Sequence, residues 1–167
     1  ADGGATASFR QNRPGLLPPF DLYVQEDDPV VPDSPYTNPI SFGPLSLIGY
    51  TPASRYVDAG ESVEIETWWT VVSIPERPLS LMLHLGKPEA APIAVGDGLG
   101  VPVYAWQVGD VIVQRHVLRV EPDVPAGAYV AQAGVYWLDT LERWLIVTGP
   151  DEGGQSIPLM SVQVAEP

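Results

Sequence analysis

Alternation of apolar and polar positions runs through most of the chain and is clearest in residues 125–138. There Pro125 and Gly127 open a turn, after which Tyr129, Ala131, Ala133, Val135 and Trp137 fall on one face. Val130, Gln132, Gly134, Tyr136 and Leu138 fall on the other. The period of two predicts a central strand, and its small residues Ala131, Ala133 and Gly134 predict a neighbour packed closely against it. Upstream, Val63, Ile65, Thr67, Trp69 and Val71 oppose Glu64, Glu66, Trp68 and Thr70, which separates a core face from a solvent face. Leu79, Leu81, Leu83 and Leu85 alternate as strongly with Ser80, Met82 and His84.

Shorter patterns complete the set. Residues 42–50 read as one strand whose Pro44 marks an edge or bulge, and residues 110–121 as another with Leu118 and Val120 inward. Asp139 to Glu142 read as a hairpin connection into a strand over 143–147. In the last strand, 157–164, the apolar positions shift from Ile157 and Leu159 to Val162 and Val164, which predicts a bulge near Met160. The glycine- and proline-rich stretch 86–102 predicts a long ordered loop. No segment has a helical period. Eight or nine strands at this spacing predict an all-β fold, a two-sheet antiparallel sandwich of jelly-roll or immunoglobulin-like type, over residues 39–167.

Residues 1–38 read differently. A small, polar start is followed by Pro14, Pro18, Pro19, Pro29, Pro32 and Pro35 and by the acidic patch Glu26, Asp27 and Asp28. Proline at this density favours extended backbone and removes ladder donors, so an extended Pro-rich acidic arm or linker is expected. Within it, residues 20–24 alternate well enough to add one edge strand. Such an arm either tethers the domain or lies across a partner.

Composition narrows the function classes. A chain of 167 residues with 45% hydrophobic content supports one domain with a core, and 19 prolines with 16 glycines suit short strands joined by turns. Eight basic against 21 acidic residues leave a formal net charge of -13, a field that repels phosphate backbones and anionic membrane surfaces. Nucleic acid is therefore not an expected partner. The absence of cysteine removes disulfides, thiolate metal sites and thiol nucleophiles. No apolar run approaches the roughly 20 residues of a spanning helix, so no direct membrane span is expected, and the first residues lack a basic-then-apolar leader pattern.

A set of motifs follows in order: Phe42-Gly43 with Leu47, Gly49 and Tyr50; Trp68-Trp69; Leu83-His84-Leu85; Asp97; Pro102, Trp106 and Gly109-Asp110. Pro125-x-Gly127-x-Tyr129, Gly134-x-Tyr136 and Arg143 continue it. From about residue 42 to 164 this order resembles the β-sandwich domain at the C-terminal, extracytoplasmic end of multi-spanning glycosyltransferase-like membrane proteins, particularly those of filamentous green bacteria. The resemblance implies a sandwich outside the cytoplasm, membrane-associated through a larger protein or assembly, and carries over no catalytic residues. Trp137 departs from the pattern, which usually has an acidic residue there.

Candidate chemistry is sparse. Asp97 and Asp110, with Glu89 and loop carbonyls, are candidate calcium ligands, because hard cations take clustered oxygens, although Asp97 between two glycines also suits a plain turn. Apart from calcium no cofactor is expected. Trp68, Trp106, Tyr104 and Tyr136 are candidate ligand-binding residues for stacking on sugar rings, set against the commoner role of aromatics as packing. His84 and His116 stand on separate predicted strands outside any metal-ligand spacing, and no G-x-S-x-G elbow occurs. A glycosidase-like pair would have to come from Glu64 or Glu66 with Asp110, residues that a solvated strand face also explains. The expected function is thus not enzymatic. It is an extracytoplasmic interaction module, an accessory subunit or surface component of a larger assembly, with a protein partner or self-assembly. Carbohydrate binding is the alternative and a glycoside hydrolase-like enzyme the weaker one.

Overall fold

The alternating segments become strands because each has one face to bury and an opposite sheet to bury it against. The computed structural model describes residues 38–166 and, ahead of them, the backbone of Ala5–Phe9 and Leu22–Tyr23. Eleven strands lie in these residues: β1 (Ala5–Phe9), β2 (Leu22–Tyr23), β3 (Ile40–Ser41), β4 (Leu45–Pro52), β5 (Tyr56–Asp58), β6 (Ser62–Val71), β7 (Leu79–Gly86), β8 (Ala94–Val95), β9 (Val111–Arg119), β10 (Gly127–Trp137) and β11 (Ile157–Ala165). They form a two-sheet sandwich. One sheet runs β2-β1-β9-β6-β4-β3 and the other β5-β11-β10-β7-β8. Pairing is antiparallel except between β1 and β2 and between β5 and β11.

The strand order separates the two topologies expected from sequence. β4-β6-β9 face β7-β10-β11, while β5 leaves the first sheet to pair in parallel with the last strand, which is an immunoglobulin-like arrangement rather than a jelly roll. The turn before β10 strengthens the correspondence. Gly127 takes φ +151°, and the Tyr129 hydroxyl donates back to the Pro125 carbonyl at 2.8 Å, the tyrosine corner of such sandwiches.

Core and surface separate along β6, where Val63, Ile65, Thr67, Trp69 and Val71 are buried. On β7 the alternation does not mark a solvent face, since Ser80 and Met82 are buried as well. The neighbour foreseen against Gly134 is the reason. A Cβ on Gly134 would stand 2.9 Å from Met82 Cε and 2.9 Å from the Gln155 carbonyl oxygen, so Met82 lies flat across the glycine of the adjacent strand. The bulge foreseen near Met160 is present: Ala131 pairs with Met160 but Gln132 with Pro158, leaving Leu159 as the extra residue.

Three expectations need correction. Residues 42–50 are not one strand: 42–44 form the turn of a hairpin between β3 and β4, with Pro44 in the turn that the Phe42 amide closes on the Leu45 carbonyl, and the strand begins at Leu45. Residues 143–147 alternate as expected, with Trp144 and Ile146 buried, yet form no ladder. The Trp144 amide pairs with Val135 of one sheet, whereas the Val147 amide pairs with Ser41 of the other, so the segment crosses between sheets. Finally, the stretch 86–102 holds the edge strand β8, and beyond it Gly96 and Gly98 keep pairing with Leu83 and Leu81 of β7.

Backbone from the segment expected as an arm joins the first sheet, where β1 pairs with β9 and β2 with β1. The rest of residues 1–37 lies outside the described residues, and with it the choice between tether and docking arm.

Gly134→Ala is expected to destabilise the fold by roughly 1–3 kcal/mol, the usual cost of overpacking, because one of the two atoms in its way is backbone. Chemical denaturation of the two proteins measures this directly.

Candidate functional site

The two ends of the sandwich have different surfaces. At the end where β6 stops and β9 starts, the connections 72–78, 99–110 and 138–147 expose Val72, Ile74, Tyr104, Val108, Leu138, Leu141 and Leu145. At the opposite end, the connections 53–61, 87–93 and 120–126 expose Tyr56 as a single large apolar side chain, while charged side chains are exposed at both ends, Glu76, Asp139, Glu142 and Arg143 at the first and Arg55, Asp58, Glu61, Lys87, Glu89, Glu121 and Asp123 at the second. Exposed apolar side chains gathered in this way distinguish the first end from the second.

A cleft of about 760 Å³ opens at the apolar end, between residues 74–80 and residues 97–104. Ile74, Pro75, Pro78, Leu99, Pro102, Val103 and Leu138 give it apolar walls. Glu76, Arg77, Ser80, Asp97 and Tyr136 supply its polar groups, and Tyr104, 83% exposed, lines it as well.

The loop that forms one wall is fixed at several points. Asp97 Oδ1 accepts the Leu83 amide at 2.9 Å, in the place where a ladder carbonyl would otherwise pair, and Oδ2 lies 3.1 Å from His84 Nε2. Further along, the Gly100 amide donates to Gln114 Oε1 at 2.8 Å, Trp106 Nε1 donates to the Val101 carbonyl at 2.8 Å, and the Gln107 amide donates to Asp110 Oδ2 at 2.8 Å. Tyr104 sits within a single 3-10 turn, Val103–Ala105, between these anchors.

Deeper still lies a relay with no exposed member. Trp69 Nε1 donates to Thr67 Oγ1 at 2.7 Å, Thr67 Oγ1 is 2.8 Å from His116 Nε2, and His116 Nδ1 is 2.6 Å from the Gly96 carbonyl. A carbonyl can only accept, so Nδ1 carries the proton, Nε2 accepts and the Thr67 hydroxyl donates. Every group is satisfied by a neutral imidazole. Burial accordingly lowers the His116 pKa to about 4, against the opposing pull of the Gly96 carbonyl and the Asp97 carboxylate. In the cleft the Tyr136 pKa is raised, first by burial and then by the Asp97 carboxylate, while its hydrogen bond with Ser80 acts the other way. Tyr136 is a neutral hydrogen-bonding phenol there.

At the far side of the same end, Arg77 Nε donates to Asp139 Oδ2 at 3.1 Å, and the guanidinium lies 4.8 Å from the Trp137 ring centroid. Leu141, 70% exposed at the tip of the next turn, has φ +58°, a left-handed conformation that costs a branched side chain about 1–2 kcal/mol.

Of the residues singled out in the sequence, the structure brings Tyr104, Tyr136 and Asp97 together at the cleft and scatters the rest. Trp106 is core, 5% exposed, and cannot serve as a sugar platform. Trp68 is half-buried on the outer face of the other sheet, opposite Val113 and Gly49. The calcium grouping does not assemble either: Asp97 and Asp110 each hold a backbone amide, and Glu89 is at the opposite end of the sandwich. Among the described residues no three His, Cys, Asp or Glu side chains group to hold a metal. Glu64 and Glu66 face Arg115, at 3.7 and 3.8 Å, whereas Asp110 is buried away from them. Sequence reasoning missed Ser80, which reads as a solvent-face residue of its strand, and the exposed apolar loops, whose residues are scattered along the chain. No known protein-family model matches the chain, and no curated protein matches it.

The His116 pKa sets a pH dependence. The unfolded state gains a proton near pH 6.5 and the folded state only near pH 4, so folding stability is complete above about 6.5 and falls as the pH drops toward 4. The loss attributable to this residue is about 3 kcal/mol. Unfolding free energies across that window, compared between the protein and His116→Asn, measure it, and equal slopes for the two would refute the assignment.

Proposed function

We propose that this β-sandwich is a non-catalytic interaction module, an accessory subunit or surface component of a larger assembly outside the cytoplasm, and that it makes its contact through the apolar loop end. The observation that carries the proposal is the gathering of Val72, Ile74, Tyr104, Val108, Leu138, Leu141 and Leu145 on connections at one end, against Tyr56 alone on the connections of the other. In variable immunoglobulin domains the binding loops occupy the corresponding end, an analogy of fold that gives the reading a geometric precedent. The extracytoplasmic placement rests on the resemblance of residues 42–164 to the sandwich domains of glycosyltransferase-like membrane proteins.

Leu141 adds an energetic argument. An exposed leucine in a left-handed conformation gains nothing in the isolated domain, neither burial nor backbone comfort. Contact with a partner gives that side chain somewhere to go. The second reading, a carbohydrate-binding module, is favoured by one separate observation, an exposed tyrosine beside a cleft that contains hydrogen-bonding groups.

Two changes test the leading reading. Leu141→Asn is expected to stabilise the isolated domain by about 0.5–1 kcal/mol, since asparagine tolerates the left-handed region, while weakening assembly. Val108→Ser combined with Leu145→Ser is expected to leave a folded domain whose affinity for its co-purifying partner falls by roughly tenfold or more. The readouts are denaturant unfolding and the mass of the complex isolated from native envelope under mild conditions. Variants that assemble as well as the parent would exclude the apolar end as the contact.

A further inference from the structure

We propose that the cleft between residues 74–80 and 97–104 is a subsite for a neutral saccharide, with Tyr104 as its stacking plate and Tyr136, Ser80 and Asp97 as its hydrogen-bonding side. The inference rests on the carbohydrate reading and adds the class of sugar and the residues that take it.

Tyr104 is the first reason. A ring 83% exposed loses contact with its own protein, yet the turn that carries it is fixed by the Trp106 indole on the Val101 carbonyl and by the Gly100 amide on Gln114. A rigid, exposed aromatic face is preorganised for a flat partner and gives up little entropy on contact. The second reason is the mixed lining. Apolar walls suit the C–H face of a sugar ring, whereas the Tyr136 hydroxyl, Ser80 and the Asp97 carboxylate suit its hydroxyls. A wholly apolar ligand would cover the half-buried Tyr136 hydroxyl and Asp97 carboxylate without offering either a hydrogen bond, at a cost in affinity.

Charge selects within the class. Asp97 and Glu76 both line the cleft, the chain carries a net charge of -13, and the lining cation Arg77 is engaged with Asp139. Uronic, sulfated and phosphorylated sugars would meet repulsion without a free positive partner. Asp97 is also not an available acid or base of a hydrolytic pair, because its two oxygens face the Leu83 amide and His84. Sugar bound here is held, not cleaved.

The test titrates the protein with neutral gluco-, manno- and N-acetylglucosamine oligosaccharides and with an oligogalacturonate, following amide and tyrosine resonances by NMR. Binding of at least one neutral oligosaccharide that shifts Tyr104, Tyr136 and Gly98 is expected, with no response to the oligogalacturonate. Tyr104→Ala should weaken it by roughly tenfold and Tyr136→Phe severalfold. Both variants should keep the parent's spectrum elsewhere. Val108→Ser with Leu145→Ser lies off the cleft and should leave sugar affinity unchanged, so failure of the partner contact and failure of the sugar site are read separately. No cleft response to any neutral sugar at millimolar concentration, or undiminished affinity in Tyr104→Ala, overturns the proposal. So does a Tyr104→Ala variant that loses a protein partner while the parent binds no sugar, which would assign the cleft to a protein interface.

Discussion

The relay from the Trp69 indole through Thr67 and His116 to the Gly96 carbonyl crosses the interior from the first sheet to the edge of the second, and the position of the cleft wall follows from it. A β-sandwich held only by apolar contact tolerates small slides of one sheet over the other. Directional bonds through a buried imidazole do not, because each donor has one acceptor within reach and no water to replace it. Gly96 fits this site by lacking a side chain: a Cβ there would come within 3.1 Å of the Val117 carbonyl oxygen and 3.2 Å of His116 Cβ. The close approach of loop and sheet, the single tautomer and the depressed His116 pKa are thus one arrangement seen from three sides.

From Gly96 the consequence passes along the chain. Asp97 uses its side chain to pair the Leu83 amide, because the Gly96 carbonyl that would meet it is given to His116. Pairing with β7 resumes at Gly98, which exchanges both hydrogen bonds with Leu81, and the chain turns away into the irregular 99–110 connection only after it. The same residue thus repairs the ladder and places a carboxylate in the cleft.

Much of this architecture was legible in the sequence. Period-two patterns at 62–72, 79–85 and 125–138 located the strands of both central ladders, and the phase change in the last strand predicted a bulge near Met160, which the structure has at the neighbouring Leu159. What failed were inferences about partners. The 143–147 pattern was that of a strand, but alternation says only which side chains are buried, not that one continuous ladder receives the backbone, and here two sheets share it. Trp106 failed as a ligand residue for a related reason. An aromatic among glycines and prolines looks exposed on paper, whereas burial depends on the path of the loop, and its indole is turned inward to Val101. The cleft itself was half legible: Tyr104, Tyr136 and Asp97 were all named, in three segments 7 to 39 residues apart, with nothing in their spacing to show that they meet.

The proposed contact surface and the proposed cleft overlap at the apolar end. Ile74, Tyr104 and Leu138 belong to both, whereas Leu141 and Leu145, further along the connection beyond β10, do not line the cleft. Arg77, bonded to Asp139 and stacked over Trp137, lies between these regions and ties the first connection to the third. Its guanidinium is largely accessible, so the pair adds little to stability by itself, but its geometry holds the two loops at a set distance. A ligand in the cleft and a partner on this end would then compete for Ile74, Tyr104 and Leu138, while Val108, Leu141 and Leu145 lie off the cleft. The cation is also a physical link between the two connections, since a shift of residues 74–80 displaces the residue on which Asp139 and Trp137 rest.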